Sequence, residues 1–436
     1  MDHTESIVHF IGIGGIGMSA LAQLLHKEGS HVSGSDRNES PITELLEQKD
    51  IAVTIPQRAE NVSPDTDLVV YSDAVPADNP ERIRARELGL PEYSYFEMLG
   101  KVSKGKKTVA IAGTHGKTTT TGMLALILRD AGAEPTAIIG SIVKDFGSNY
   151  VSGTSDLFVV EACEYRNHLL ELSPEILVIN NLEWDHTDYF PSLEVLQETF
   201  RKAILRVPHG GVIVTNPNDA AIAPLLAGAA ARIVDYTEEG AYQLSFPGEF
   251  NQNNARAAVA AARAVDPAIP EATITSALKN FQGTWRRFEY KGTTAHGAEV
   301  YDDYAHHPTA IRLTLEALRR NVPGTLYVVF HPHLYSRTHD LLEEFSTAFA
   351  EADVVLLAPI YAAREVDDGS ISSDILAQRV RATGIAATAY DSFDAIRQAL
   401  SPATKGDTII TMGAGDIYKV ADALVKQSVS PSSPQS

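Results

Sequence analysis

Two glycine-bearing stretches carry residue types and spacings suited to holding phosphate. In Gly113-Thr114-His115-Gly116-Lys117-Thr118-Thr119-Thr120, backbone amides, a lysine and a run of hydroxyls lie between a strand-like run, Thr108–Gly113, and a helical one, Thr121–Ala131. Amides at such a junction cradle phosphates, Lys117 neutralises the β- and γ-phosphates, and the Thr118 hydroxyl reaches Mg²⁺. Gly113, Thr114, Gly116 and Thr119 complete the cradle. The regular phosphate-loop pattern has a glycine where Ile111 stands, so the match is to the physical parts and not to the full motif. A metal on a triphosphate needs an acidic partner at the end of a buried strand. Leu157-Phe158-Val159-Val160-Glu161 supplies one, and Leu182-Glu183-Trp184-Asp185-His186 adds a histidine after the apolar run Ile176–Asn180. Thr118, Glu161 and His186 are therefore the candidate metal set; oxygen ligands suit Mg²⁺, and a histidine extends tolerance to Mn²⁺. Taken singly, these residues also fit a plain helix cap with a solvated lysine and a surface histidine.

The other stretch, Gly12-Ile13-Gly14-Gly15-Ile16-Gly17, follows the strand-like Ile7–Ile11 and leads into the helical pattern Met18–Glu28. Glycines let the backbone approach a diphosphate, and a helix N-terminus adds its dipole and free N–H groups. Asp36 lies 19 residues beyond Gly17, placed to hold a ribose or sugar hydroxyl. NAD and other nucleotide diphosphates satisfy this pattern equally.

Both loops need rigid elements beneath them. Short β-branched runs alternate with longer amphipathic stretches along the chain, the pattern of parallel sheets covered by helices. Three α/β blocks separate on this basis: a Rossmann-like domain over 1–103, a central phosphate-loop domain over 104–291, and a second Rossmann-like domain over 292–427. A Ser/Pro-rich tail over 428–436 has no apolar periodicity and reads as disordered. The 436 residues suffice for several cores, and 44% hydrophobic with 21% charged residues excludes wholesale disorder. A net charge of −20 argues against nucleic acid and anionic membranes as partners. No membrane span or signal peptide is expected, and a single cysteine fits a reducing, cytoplasmic setting. Cys163 reads as an inert, partly buried thiol.

At this point the chain resembles the Mur ligase family, the ATP-dependent amide ligases of bacterial cell-wall precursor synthesis. The form Gly113-Thr114-His115-Gly116-Lys117-Thr118-Thr119 resembles that family's own phosphate loop. Further similar stretches follow in one order: His9 to Met18, Ser33-Gly34-Ser35-Asp36, Ala74-Val75-Pro76-Ala77-Asp78-Asn79-Pro80 and Glu161-Ala162-Cys163-Glu164-Tyr165-Arg166. Asp302-Asp303-Tyr304-Ala305-His306-His307-Pro308, His331 to Thr338 and Gly413-Ala414-Gly415-Asp416 complete the set.

The resemblance implies a division of labour. The first domain would bind UDP-N-acetylmuramate, through Gly14, Gly15, Gly17, Met18, Asp36 and Ser72. The central domain would bind ATP and Mg²⁺, with His115 toward the muramoyl end and Glu164 and Arg166 as further substrate-binding residues. Asn251 and Asn254 match an adenine-contacting pair, and Arg286 with Arg287 matches an arginine pair reaching toward phosphate. Asp303 would contact the nucleotide, while Tyr304, His306 and Arg337 would receive L-alanine. Lys117, His186, Arg287, Asp303, His306 and Arg337 are the implied catalytic group, with His306 or His186 as the base. The oligomeric state is left open between monomer and homodimer.

Some positions depart from the family pattern. Leu334 stands where many L-alanine-adding relatives carry an arginine, leaving Arg337 to meet the carboxylate alone. Phe250 replaces a common histidine, and Arg201-Lys202 occupy the region of a carbamylated lysine found in other members, so no carbamate is expected. Alternative readings are a recycling ligase that adds a tripeptide to the same sugar, a nucleotide-sensing module without turnover, and an NAD-dependent oxidoreductase. The last leaves the Lys117 loop unexplained.

Overall fold

A computed structural model describes residues 5–426, so the tail expected at 428–436 lies outside the described residues. The first sheet contains β1 (Ile7–Ile11), β2 (His31–Ser35), β3 (Ala52–Thr54), β4 (Leu68–Tyr71) and β5 (Glu92–Ser94), all parallel, in the order β3-β2-β1-β4-β5. The second contains β6 (Lys107–Ala112), β7 (Thr136–Val143), β8 (Ser148–Val151), β9 (Leu157–Glu161), β10 (Ile176–Ile179), β11 (Val212–Thr215) and β12 (Arg232–Asp235), in the order β12-β11-β10-β6-β9-β7-β8. The third contains β13 (Glu289–Thr293), β14 (Glu299–Asp303), β15 (Leu326–Phe330), β16 (Val354–Leu357), β17 (Ala386–Ala389) and β18 (Thr408–Met412), in the order β13-β14-β18-β15-β16-β17. Three parallel-rich α/β sheets answer the expected fold class.

The strands explain their own legibility. Parallel strands covered on both faces must be apolar throughout, and β9, β10 and β11 are buried along nearly their whole length. Antiparallel pairs occur at two sheet edges, β7 with β8 and β13 with β14. They carry mixed polar residues and no continuous apolar run, so sequence periodicity passes over them.

The described residues fall into two compact units. One comprises the chain up to Glu183 with Glu194–Gln243 and Asn253–Gln282, and so holds the first two sheets. The other comprises Trp184–Leu193, Leu244–Gln252 and the chain from Gly283, and so holds the third sheet. In the first unit the helix Lys117–Asp130 is buried from Thr118 to Leu128, so the loop before it rests on a rigid core. Each fully buried Phe or Leu in such a core contributes about 1.5–3 kcal/mol. In the second unit, one core packs Phe330, Phe345 and Phe349 on one side of the sheet, and another packs Ile396, Ile409 and Ile417.

Candidate active site

The loop after β1 turns at Gly12, whose φ of 82° lies in the left-handed region that glycine tolerates without cost. Its amide and that of Ile13 donate to the Ser35 carbonyl, at 2.8 and 2.9 Å. Gly15 caps the helix Ile16–Lys27 with no side-chain bond, leaving amides for an anion. Gly17 abuts the Tyr95 ring, where a Cβ would come within 2.7 Å of Cζ. Ser72 lies beside Gly12, its Cβ 3.1 Å from the place a Gly12 side chain would start. Met18 is only 3% exposed, so its side chain serves the core, and only its backbone is left for the expected ligand contact. Asp36 Oδ2 accepts the Gly14 amide at 2.8 Å, which places the carboxylate across the loop itself.

Glu81, missed in the sequence, is buried behind this loop. It accepts from Ser35 Oγ at 2.5 Å, Asn61 Nδ2 at 2.6 Å and the Arg58 amide at 3.0 Å, with His9 Nε2 at 3.2 Å. Burial pushes its carboxyl up, but the bonds from His9 and Ser35 outweigh that and hold it below the usual range. Asn79-Pro80 was the only sign, because Asn79 caps the short helix that carries Glu81.

The loop after β6 has glycines at φ 123° (Gly113) and 82° (Gly116). A side chain at Gly116 would collide with Asn254 Oδ1, which places Asn254 directly against the loop. Lys117 opens the helix and folds back: its Nζ donates to the Gly113 carbonyl and lies 3.1 Å from both carboxylate oxygens of Glu164. Burial alone would pull the Lys117 pKa down, but Glu164 raises it, so the ammonium stays charged. Thr118 Oγ1 donates to Glu161 Oε1 at 3.2 Å, and the other oxygen of Glu161 accepts the Gly140 amide at 2.9 Å. A hydroxyl and a carboxylate meeting at a helix N-terminus beneath a lysine form the hard oxygen set that Mg²⁺ takes. Thr119, 8% exposed, continues the buried helix.

His115 donates its amide to Asn181 Oδ1 at 2.9 Å, and its ring Nε2 lies 3.5 Å from Glu183 Oε2. Thr114 Oγ1 both donates to the Glu183 carbonyl and accepts its amide. Arg166 sits at φ 50° beside Asn167 at φ 64°, a bend in the left-handed region that non-glycine residues rarely adopt. Cys163 is inert as expected, since burial pushes its thiol up to about 12.

In the second unit, Asp303 Oδ1 accepts the Ala305 amide and Oδ2 the Phe288 amide, each at 2.6 Å. Burial nevertheless pushes its carboxyl up to about 6, against the pull of Arg287. The Arg287 guanidinium lies 4.8 Å from the Tyr304 ring centroid. Arg286 departs from the expected phosphate role. It is buried and bonds Asp302 through Nε at 2.8 Å and the Gly415 and Gly413 carbonyls at 2.7 Å each. Its planar fork ties β14 to the Gly413–Gly415 loop and serves structure.

His306 Nδ1 lies 2.9 Å from the Tyr304 carbonyl, which can only accept, so Nδ1 carries the proton and Nε2 is the bare nitrogen. Burial, reinforced by Arg337, holds its pKa well below the usual histidine range, so the ring is neutral. Arg337 is 2% exposed and sends Nε to Asp185 Oδ1 at 2.9 Å and Nη1 to His333 Nδ1 at 3.1 Å. Much of the fork expected to receive a carboxylate is thus engaged by Asp185, a residue the candidate set lacked. Asp185 is held well below the carboxylate range, since Arg337 overcomes the opposing effect of burial. His186 adopts φ 53° and gives its amide to Asp185 Oδ1 at 2.6 Å. It belongs to the second unit, whereas Thr118 and Glu161 belong to the first. Asn251, also in the second, bonds the Pro247 carbonyl at 2.7 Å. Leu334 is buried at φ 72°.

Family models match three consecutive stretches: the Mur ligase family catalytic domain over residues 7–107, the Mur ligase middle domain over 111–243, and the Mur ligase glutamate ligase domain over 286–415. A UDP-N-acetylmuramate–L-alanine ligase of Clostridium botulinum (strain Hall) is 39% identical, with 96% of this chain and 97% of the relative aligned. The solved UDP-N-acetylmuramate-alanine ligase of Thermotoga maritima superposes with a TM-score of 0.78 at 29% identity, covering 97% of this chain and 98% of that one. A murein peptide ligase of Psychrobacter arcticus gives a TM-score of 0.75 at 25% identity, covering 98% of this chain and 100% of that one. Among the described residues, no helix is long and apolar enough to cross a membrane.

Proposed function

This chain belongs to the Mur ligase family, and from its residues we propose that it joins L-alanine to the carboxylate of UDP-N-acetylmuramate, with ATP converted to ADP and phosphate. The observation that carries the reading is that one compact unit holds both nucleotide loops, the Gly12–Gly17 turn and the Lys117 cradle with its Thr118–Glu161 pair.

The chemistry follows from leaving groups. A carboxylate is a poor acyl donor because oxide would have to leave. Transfer of the γ-phosphoryl group makes an acyl phosphate, from which phosphate leaves as the amine attacks through a tetrahedral intermediate. Lys117 and Arg287 neutralise charge on the transferring group, and the glycine-loop amides hold the phosphates in place. Thr118 and Glu161 would hold Mg²⁺, which supplies further charge neutralisation on the phosphates, and the family resemblance assigns His186 to the metal as well. Asn251 and Asn254 hold the adenine side, and Asp303 contacts the nucleotide. The amine must attack unprotonated, and His306 offers a bare Nε2 on a neutral ring to take its proton. Arg337 meets the amino-acid carboxylate beside Tyr304. His115, Glu164 and Arg166 face the muramoyl end, while Gly14, Gly15, Gly17, Asp36 and Ser72 hold the diphosphate sugar. The setting is the cytoplasm, where these precursors are made. The domains divide as 1–103, 104–291 and 292–427 by ligand.

The test supplies UDP-N-acetylmuramate, ATP and Mg²⁺ with single amino acids, then with the cell-wall tripeptide, and follows phosphate release and product mass. Phosphate release with L-alanine and a product heavier by one alanyl residue is expected. Turnover with the tripeptide alone would replace this reading by the recycling ligase.

A further inference from the structure

A buried polar cluster joins the first sheet's domain to the second, and the chemistry above leaves it unused. Asn149, on β8, is completely buried, as is Ser19 on the helix Ile16–Lys27. The Asn149 amide donates to the Ile16 carbonyl and, at 2.9 Å, to Ser19 Oγ. Its Oδ1 accepts from Gln23 Nε2 at 3.0 Å, and Gln23 Oε1 accepts from Ser148 Oγ at 3.2 Å. Ile16 opens the helix at the glycine loop, so the cluster grips the loop at its base.

The same hairpin reaches the other site. β7 lies between β8 and β9, and its Gly140 amide holds Glu161, the terminal residue of β9. One short element therefore fixes the diphosphate loop with residue 149 and the metal-side carboxylate with residue 140. An apolar seam would join two domains at less desolvation cost. Directional bonds among buried amides and hydroxyls hold one register, because a slip leaves buried polar groups unpaired.

We propose that Asn149 is a positioning residue for phosphoryl transfer, setting the diphosphate-sugar loop in register with the triphosphate loop through the β7–β8 hairpin. The proposal rests on the ligase reading above. It makes a separable demand: each nucleotide binds within its own loop, but the carboxylate meets the γ-phosphate only when the loops are in register.

The experiment measures single-turnover ADP formation from UDP-N-acetylmuramate and Mg²⁺-ATP without amino acid, which isolates acyl-phosphate formation. Asn149→Ala should slow this step by about 10²-fold, the scale of an ångström-sized misplacement, with each nucleotide's Kd within about 3-fold of wild type. Gln23→Leu keeps side-chain bulk and removes the partner of Asn149 Oδ1; it should give a smaller loss of the same kind, and it carries the test if Asn149→Ala does not fold. Wild-type rates in a folded variant overturn the proposal, as does a rate loss matched by lost nucleotide affinity. If wild-type protein forms no ADP, the ligase reading fails; if wild type turns over and the variants equal it, only the positioning role fails.

Discussion

Asp185 and Arg337 form an ion pair across 152 residues of sequence, 2.8 Å from Oδ1 to Nη2, with both side chains nearly excluded from solvent. The pair decides how the proposed amino-acid subsite has to be tested. Arg337→Ala alone leaves a buried carboxylate unpaired, which costs about 3–5 kcal/mol and mixes stability with binding. Adding Asp185→Asn should restore most of that stability. In the double variant the alanine KM should rise at least about 10-fold, the scale of a lost charge-assisted hydrogen bond. An unchanged alanine KM would assign the carboxylate to another group.

Lys117→Ala should lower turnover by at least about 10²–10³-fold, as expected when a preorganised charge is removed from a transferring group. UDP-sugar affinity, measured by calorimetry, should stay near wild type, because that ligand's loop is separate. The variant should also lose stability, since Glu164 is left buried without its ammonium. Combining it with Glu164→Gln should recover the stability and leave turnover abolished. Loss of UDP-sugar binding in the single variant would contradict the assignment of the two loops.

Asp303 sets a pH signature. Its pKa is raised from 3.8 to about 6, so the folded protein favours the protonated form. That contribution is fully present below the unfolded value and is lost as pH rises through about 6, a total of about 3 kcal/mol. Asp303→Asn carries no such titration. Between pH 5 and 7.5, urea unfolding should show stability shifting in favour of the variant by about 1.4 kcal/mol. A pH-independent difference would place the Asp303 pKa in the ordinary range.

Gly140→Ala drives a methyl group into Glu161 Oε2 and displaces the carboxylate. The Mg²⁺ concentration for half-maximal activity should rise by about 10–100-fold, the usual penalty for disturbing a residue that orients a metal ligand. An unshifted Mg²⁺ titration would remove Glu161 from the metal set.

The loops and the parallel strands were legible because each leaves a local mark. Glycines sit where the backbone must turn, and covered strands are apolar from end to end. The reading placed β1 at its observed bounds, Ile7–Ile11. The β7–β8 hairpin was not legible, because its Gly140, Ser141 and Asn149 interrupt the apolar run for reasons that lie on other elements. Nor could sequence separate Arg286 from its neighbour Arg287. Only the fold shows that Arg286, at φ 59°, turns its fork inward to Asp302 and two loop carbonyls. Asp185 is a similar case: its partner lies on a remote helix, and no spacing rule joins them.

The carboxylate of Glu164 at Lys117 behaves as a tethered counter-ion. An anion approaching the loop meets a cation already occupied by a neighbour whose effective concentration never falls. Any anion that reaches Lys117 has to take the place of Glu164, so in a chain of net charge −20 a ligand with several oxygens competes better there than an ion of single charge.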